Sequence, residues 1–253
     1  MRDLDLHEKD LEILKSRTEW LNEAHTNAAS KILSKQFPGI NGFHNVTSIP
    51  FNKNGKWTFD KKLPLTKYPA VQIHYNGHNH WVTSVSLSEN VYFLDSIYFK
   101  LKSFSINKSL QIQLAAMYGL SDSILEVTIP RIQQQHDYSQ CGVFAIANAV
   151  EYCFSGKFWE EKHLNNYVIS KMRNHLIICF ENGKFTQFPS QPTIRKGGTS
   201  LYEIPISCPC RLPDSIDRLV NCNTCDFKQH ISCIGSKNNK VDYICTNCQV
   251  KIK

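Results

Sequence analysis

Nowhere in its 253 residues does the chain contain an apolar run approaching the roughly 18 to 20 residues a helix needs to cross a bilayer, so no membrane partner is expected. It has no internal repeat, which excludes solenoid and propeller architectures. Its 29 Lys and Arg outnumber 22 Asp and Glu, giving a net charge of +7, but the basic residues are dispersed and form no stripe. Nucleic acid is therefore not expected as the main partner. The opening MRDLDLHEKDLEILK lacks the apolar core of a secretory leader and reads as a charged helix. With 42% hydrophobic and 20% charged residues, the composition is that of a folded globular chain rather than a disordered one.

Cysteine is plentiful, and its placement is uneven. Seven of the ten cysteines lie between Cys208 and Cys248 in close pairs, whereas Cys141, Cys153 and Cys179 are scattered. A secreted disulfide framework would spread its pairs and follow a leader. The chain is expected to be intracellular and reduced.

Apolar spacing predicts two helices between Leu4 and Phe37, broken near KSRT. VQIHY, HWVTSVSL and VYFLD alternate as strands and are separated by the turn signals Asn76-Gly77 and SEN, which predicts an antiparallel meander. SLQIQLAAMYGL is helical, ILEVTIP a strand, CGVFAIANAVEYCF a core helix apolar nearly all round, and 160–179 a last helix. The fold class is α+β: a main domain over 1–188, a linker over 189–204 marked by Pro and Gly-Gly, and a small cysteine-rich module over 205–250.

Cys141 heads the core helix, where unpaired N–H groups and the positive end of the helix dipole stabilise a thiolate. Gly142 beside it is expected to leave room for a substrate. His80 opens the second strand of the meander and Asp95 ends the third, so pairing across SEN returns both to one sheet edge. Asp95 would then orient His80 as the base facing Cys141. Gln135, in the loop entering the helix, is the candidate oxyanion donor, with Gln133 and Gln134 less favoured by position. His136 is the rival base. Cys153 and Cys179 read as packing, and His74 and His78 as ordinary half-buried strand residues.

The C-terminal segment holds Cys208, Cys210, Cys222, Cys225, His230, Cys233, Cys245 and Cys248 as four close pairs. Zinc takes four soft ligands in a tetrahedron, and a pair one or two residues apart grips one ion from a tight turn. Eight ligands make two structural Zn2+ sites. The segment has few large apolar residues to fold without metal.

The order His80-Trp81, Asp95-Ser96, Gln135, then Cys141-Gly142, with the entry segment EWLNE, resembles the SUMO-specific and related ubiquitin-like-protein cysteine proteases, and more distantly the adenovirus-type proteinases. QQQ…CGVFAIANA and MRNHLIICFENGKFTQFP are most similar to members associated with animal mobile elements. The resemblance implies a papain-like, adenain-like fold with a central antiparallel sheet and core helix. It also implies a thiol peptidase or isopeptidase cleaving after the Gly-Gly tail of a ubiquitin-like modifier, SUMO-like first, with no cofactor in catalysis. Trp81 would line the groove over that tail. Gln140 stands where the family has an acid, and Asp137 where it often has Asn.

The C-terminal spacing resembles a PHD finger. This implies that Cys208, Cys210, His230 and Cys233 hold one ion and Cys222, Cys225, Cys245 and Cys248 the other. The positions of a methyl-lysine cage carry Ser207, Leu219 and Lys228, none aromatic, so methyl-lysine reading is not expected. Unmodified histone-tail binding and an architectural role both stay open. The family and the finger imply a nuclear location. Two other functions are compatible with the same residues: processing of a mobile-element or viral-type polyprotein, and a non-enzymatic chromatin or partner-binding role on the protease scaffold.

Overall fold

A computed structural model of the protein describes residues 4–46, 51–53, 56–58, 64–98, 105–156, 165–193, 198–235 and 243–251. Two short helices open the chain, α1 (Glu8–Lys15) and α2 (Glu23–Gln36). The break between them is set by Asn22, whose side-chain oxygen accepts from the N–H groups of Ala24 and His25 and so caps α2. His25 returns the contact through Nδ1 to the Asn22 N–H at 3.1 Å, and its Nε2 bonds the Asp10 carbonyl at 2.9 Å, locking α1 to α2.

A six-stranded sheet forms the centre. Its strands are β1 (Asn41–Gly42), β4 (Ala70–Tyr75), β5 (Trp81–Leu87), β6 (Asn90–Leu94), β7 (Ser123–Pro130) and β10 (Thr199–Ile206), in the order β1-β4-β5-β6-β7-β10. The meander β4-β5-β6 is antiparallel as its alternation and turns require. The sheet as a whole is mixed, because β1 pairs parallel with β4 and β6 parallel with β7. Two further pairs, β2 (Phe51–Lys53) with β3 (Lys56–Thr58) and β8 (Asn165–Tyr167) with β9 (Ser190–Pro192), are small antiparallel ladders outside it.

Helices cover both faces. The core helix α4 (Cys141–Ser155), together with α1, α2 and α5 (Ile169–Asn182), packs on one face around Leu14, Leu33, Val85, Phe144, Ile146 and Phe180. On the other face α3 (Lys108–Tyr118) covers Val82, Phe93, Val127 and Ile204. This is a three-layer α+β arrangement in which each element buries one apolar face.

Two sequence expectations change. The helix expected over 160–179 starts at Ile169, after strand β8, and residues 157–164 lie outside the described residues. The expected linker, 189–204, contains β9 and most of β10, which pairs along all eight residues with β7. Leu201 and Glu203 point outward while Ile204 and Ile206 are fully buried, so the segment has a strand's period of two. Its proline falls on the sheet edge, where a missing N–H is tolerated.

The cysteine-rich segment follows β10 after one residue, Ser207. It contains the pair β11 (Leu219–Asn221) and β12 (Lys228–His230) and a terminal helix, α6 (Thr246–Lys251).

Candidate functional site

Cys141 is the first residue of α4 and is 1% exposed. The loop leading to it is shaped by Asp137, whose Oδ1 accepts from the N–H of Ser139 at 2.9 Å and of Gln140 at 3.1 Å. That turn sets the chain entering the helix, so the Cys141 N–H belongs to the unpaired first turn.

His80 is placed by a different turn. The side-chain oxygen of Asn76 accepts from the N–H groups of His78, Asn79 and His80 at 2.9, 3.0 and 3.0 Å, and Gly77 takes the left-handed conformation the turn needs, at φ +88. Pairing of Thr83 with Leu94 then carries Asp95 back beside the start of β5. The outcome is a hydrogen bond of 2.8 Å between His80 Nε2 and Asp95 Oδ1, with both groups buried. Asp95 Oδ1 also accepts from the Ile97 N–H at 2.8 Å, which fixes the carboxylate.

With Nε2 on Asp95, Nδ1 is the ring nitrogen left for Cys141. Burial alone would lower the His80 pKa, but hydrogen bonding and charge from Asp95 and Cys141 outweigh it and raise the value to about 9. Cys141 Sγ lies 3.9 Å from the Asn79 carbonyl oxygen. The other two scattered thiols sit in different surroundings. Burial pushes Cys153 up to about 12 and raises Cys179 as well, so both are held as thiols.

Gln135 is buried in the loop before α4. Its backbone N–H donates to the Ser96 carbonyl at 2.8 Å, its Oε1 accepts from Ser96 Oγ at 2.6 Å, and its Nε2 donates to the Asp137 carbonyl. Ser96 thus turns the amide so that nitrogen, not oxygen, faces the turn before Cys141. Gln133 and Gln134 are occupied elsewhere. Gln133 brackets the Tyr167 backbone through both amide atoms, and Gln134 donates to the carbonyls of Asp95 and Ile132. His136 is exposed on the same loop.

Two histidine readings and one glycine reading need correction. His78 is exposed. His74 is fully buried, with Nδ1 3.0 Å from Gln113 Oε1 and Nε2 2.7 Å from Ser84 Oγ, and burial drives its pKa down to about 4. It is a neutral core group linking α3 to the sheet. The space left by Gly142 is filled by protein: a methyl there would come within 2.8 Å of Leu21 Cβ and 3.3 Å of Trp81 Cδ1. The glycine admits the entry segment, not a substrate.

Trp81 is 4% exposed, and its Nε1 donates to the Leu21 carbonyl at 3.0 Å, tying that segment across β5. A pocket of about 340 Å³ opens there, lined by Trp20, Leu21, Asn22, Glu23, Val46, Tyr75, Trp81 and Gln113. Trp20 is partly exposed at its mouth. Its tryptophan-leucine-asparagine context is a signal that could have assigned it to the site from sequence.

In the C-terminal segment, Cys208, Cys210, His230 and Cys233 converge in one group and Cys222, Cys225, Cys245 and Cys248 in another, with ligand atoms within 4.8 Å of one another in each. A zinc tetrahedron with bonds of about 2.3 Å has sulfur–sulfur edges of roughly 3.8 Å. Cys225 Sγ is 3.8 Å from Cys245 Sγ and 3.6 Å from Cys248 Sγ, and Cys210 Sγ is 3.3 Å from His230 Nδ1. The His230 Nε2 is 3.2 Å from the Pro213 carbonyl, an outer contact that directs Nδ1 inward. Both groups can hold a metal ion, and the donor chemistry fits zinc. Ser207 is committed to Asp214 through both N–H and hydroxyl at 2.7 Å, while Leu219 and Lys228 lie in the β11–β12 ladder.

No protein-family model matches the chain. No curated protein matches it either. Among solved structures, the SUMO protease Ulp1 with its catalytic cysteine oxidised to a sulfonic acid has 16% identity and a TM-score of 0.52, covering 73% of this chain and 88% of its own. The same protease in its sulfinic form has 15% identity and a TM-score of 0.52 over 72% and 86% of the two chains. Its sulfenic form gives 14% and 0.50 over 72% and 89%. The chain has the fold of a Ulp1-type cysteine protease.

Proposed function

We propose that the chain is a cysteine-type peptidase and isopeptidase that cleaves after the Gly-Gly C-terminus of a ubiquitin-like modifier of the SUMO type. The observation that carries this reading is the buried His80–Asp95 pair set against the Cys141 thiol at the head of α4. The fold it shares with the SUMO protease Ulp1 supports the choice of substrate class.

In this reading, His80 takes the Cys141 proton, giving a thiolate and imidazolium that Asp95 orients and stabilises. The thiolate attacks the carbonyl carbon of the terminal glycine. The resulting oxyanion is held by the Cys141 N–H and the Gln135 amide nitrogen. His80 then protonates the leaving amine as the carbon–nitrogen bond breaks, leaving a thioester. Water, deprotonated by His80, attacks the thioester and releases the carboxylate, returning the thiol. Cys141 is almost wholly covered, and the adjoining pocket is walled by Trp20, Tyr75 and Trp81. A chain without side chains, such as Gly-Gly, is the peptide such a covered site admits.

The finger, residues 205–250, would hold two zinc ions through Cys208, Cys210, His230 and Cys233 and through Cys222, Cys225, Cys245 and Cys248. Bound there, the ions would supply folding energy to the finger and take no part in the Cys141 chemistry. We assign the finger an architectural role and the protein a nuclear location, which fluorescence microscopy of the tagged chain would test.

The deciding experiment is labelling with SUMO-based and ubiquitin-based thiol-reactive probes, Cys141→Ala as control and mass spectrometry to locate the adduct. Adduct at Cys141 from the SUMO probe is expected. Equal, slow reaction of Cys141, Cys153 and Cys179 with a small alkylator would reject the enzyme. Fast small-molecule alkylation of Cys141 with no probe labelling would reject the modifier and leave a peptidase of another substrate, such as a polyprotein.

A further inference from the structure

Arg173, on α5, is a buried cation whose hydrogen bonds all go to backbone carbonyls. It is 7% exposed; Nη1 donates to the Ile13 carbonyl at 2.9 Å, and Nη2 donates to the carbonyls of Glu19 and, at 3.4 Å, Ser139. Its Nε is buried with no hydrogen-bond partner. No carboxylate among the described residues forms an ion pair with it. The three carbonyls come from three separate pieces of chain: the end of α1, the residue before Trp20, and the loop two residues before Cys141.

A buried charge without a bonded counter-ion is costly, and its retention calls for a compensating negative group nearby. Candidates can be named from each element. Asp137 is the foremost of them: it interacts with Arg173 through charge, while its Oδ1 accepts from the Ser139 and Gln140 N–H groups and so ties that charge to the loop entering α4. Glu19 is exposed to water. The residue between Ser139 and Cys141 is Gln140, neutral, with a buried Oε1 that makes no hydrogen bond. The Cys141 sulfur is a further group within electrostatic reach of Arg173, after Asp137. His80 at the start of β5, Tyr75 on β4 and Arg173 on α5 interact with that sulfur, while Asp95 beyond β6 acts on His80 and Asp137 on Arg173. His80 and Arg173 are the cations of this set.

We infer that Arg173 is a positioning residue for the nucleophile: its guanidinium clamps the loop entering Cys141, at the Ser139 carbonyl, to the Glu19 carbonyl beside Trp20 and to the end of α1, and so holds a positive charge within electrostatic reach of the thiolate. This rests on Cys141 being an activated thiol and does not depend on which modifier is cleaved.

The test follows iodoacetamide alkylation of Cys141 against pH in the full zinc-loaded chain, with mass spectrometry reading the adduct. The readout is the midpoint of the alkylation rate against pH, compared between variants. Arg173→Gln should move it up by about one pH unit, the effect of losing a nearby opposite charge. Arg173→Lys keeps the charge and should leave the midpoint near wild type, while lowering kcat/KM because an ammonium cannot bridge three carbonyls in a fixed fork. A folded Arg173→Gln chain with an unmoved midpoint overturns the inference. Should Arg173→Gln fail to fold, citrulline placed at position 173 decides, since it keeps the shape of the side chain and removes its charge: the midpoint should rise, and an unmoved midpoint overturns the inference. An Arg173-dependent midpoint in a chain that cleaves no modifier would reject the substrate reading alone. Cleavage with an Arg173-independent midpoint would reject the Arg173 inference alone.

Discussion

At the scale of single residues, the site depends on small spatial allowances. Gly142→Ala places a methyl 2.8 Å from Leu21 Cβ, inside a contact that also includes Trp81. We expect it to destabilise the fold by about 1–3 kcal/mol, the usual cost of overpacking, and to weaken the Trp81–Leu21 tie; thermal unfolding and modifier KM read these separately. Asp95→Asn removes one of the two groups, with Cys141 the other, that raise the His80 pKa. A histidine held at about 9, against an ordinary value near 6.5, adds stability that is complete below pH 6.5 and is lost as pH rises through 9. Thermal unfolding of the wild type should therefore weaken between those limits, and Asp95→Asn should flatten that slope; parallel slopes in the two chains would contradict the assignment. The meeting of His80 with Asp95 and the place of Cys141 at a helix start were legible in sequence because strand pairing and helix-start geometry are local rules. Arg173 was not, because its partners are backbone carbonyls separated from it by up to 160 residues, and carbonyls leave no mark in a sequence.

At the scale of elements, the boundary between the body and its C-terminal module depends on β10. Its alternation was hidden by the Gly-Gly before it and the proline within it, both of which an edge strand tolerates. Burial of Ile204 and Ile206 against α3 and β7 contributes about 1.5–3 kcal/mol each. A chain ending at residue 206 should keep one cooperative unfolding transition, whereas a chain ending at 188 should lose several kcal/mol and expose the edge of β7 to aggregation. Circular dichroism and light scattering on the two chains decide this. The helical elements were read more easily than β1, β8 and β9, since strands of two or three residues carry too few positions to show a period.

At the scale of the whole molecule, two folding regimes share one chain. The body has a sheet covered on both faces, whereas the buried side chains clustering in the finger are Cys222, Cys245 and Cys248, with Phe227, Tyr243 and Ile244 partly covered. Chelation should therefore release two zinc ions per chain and make residues 207–251 protease-sensitive while the body's near-ultraviolet circular dichroism persists. Loss of the body's signal on chelation would mean that the metal sites hold up the sheet as well.

The junction between these parts has almost no slack. Ile206 is the last residue of β10 and Cys208 is already a ligand position. Beside it, Lys108 and Gln111 of α3 meet Ile216 and Ser215 of the finger, and Asn107 and Gln113, at the start of and within the same helix, hold the backbone of Asn76 and Tyr75 near the His80 turn. In mechanical terms the finger is mounted like a tool in a chuck rather than hung on a tether. Its bearing relative to the His80 turn is set by those contacts and by a one-residue joint, so lengthening the chain between Ile206 and Cys208 would let the finger swing while leaving its two clusters of ligand atoms as they are.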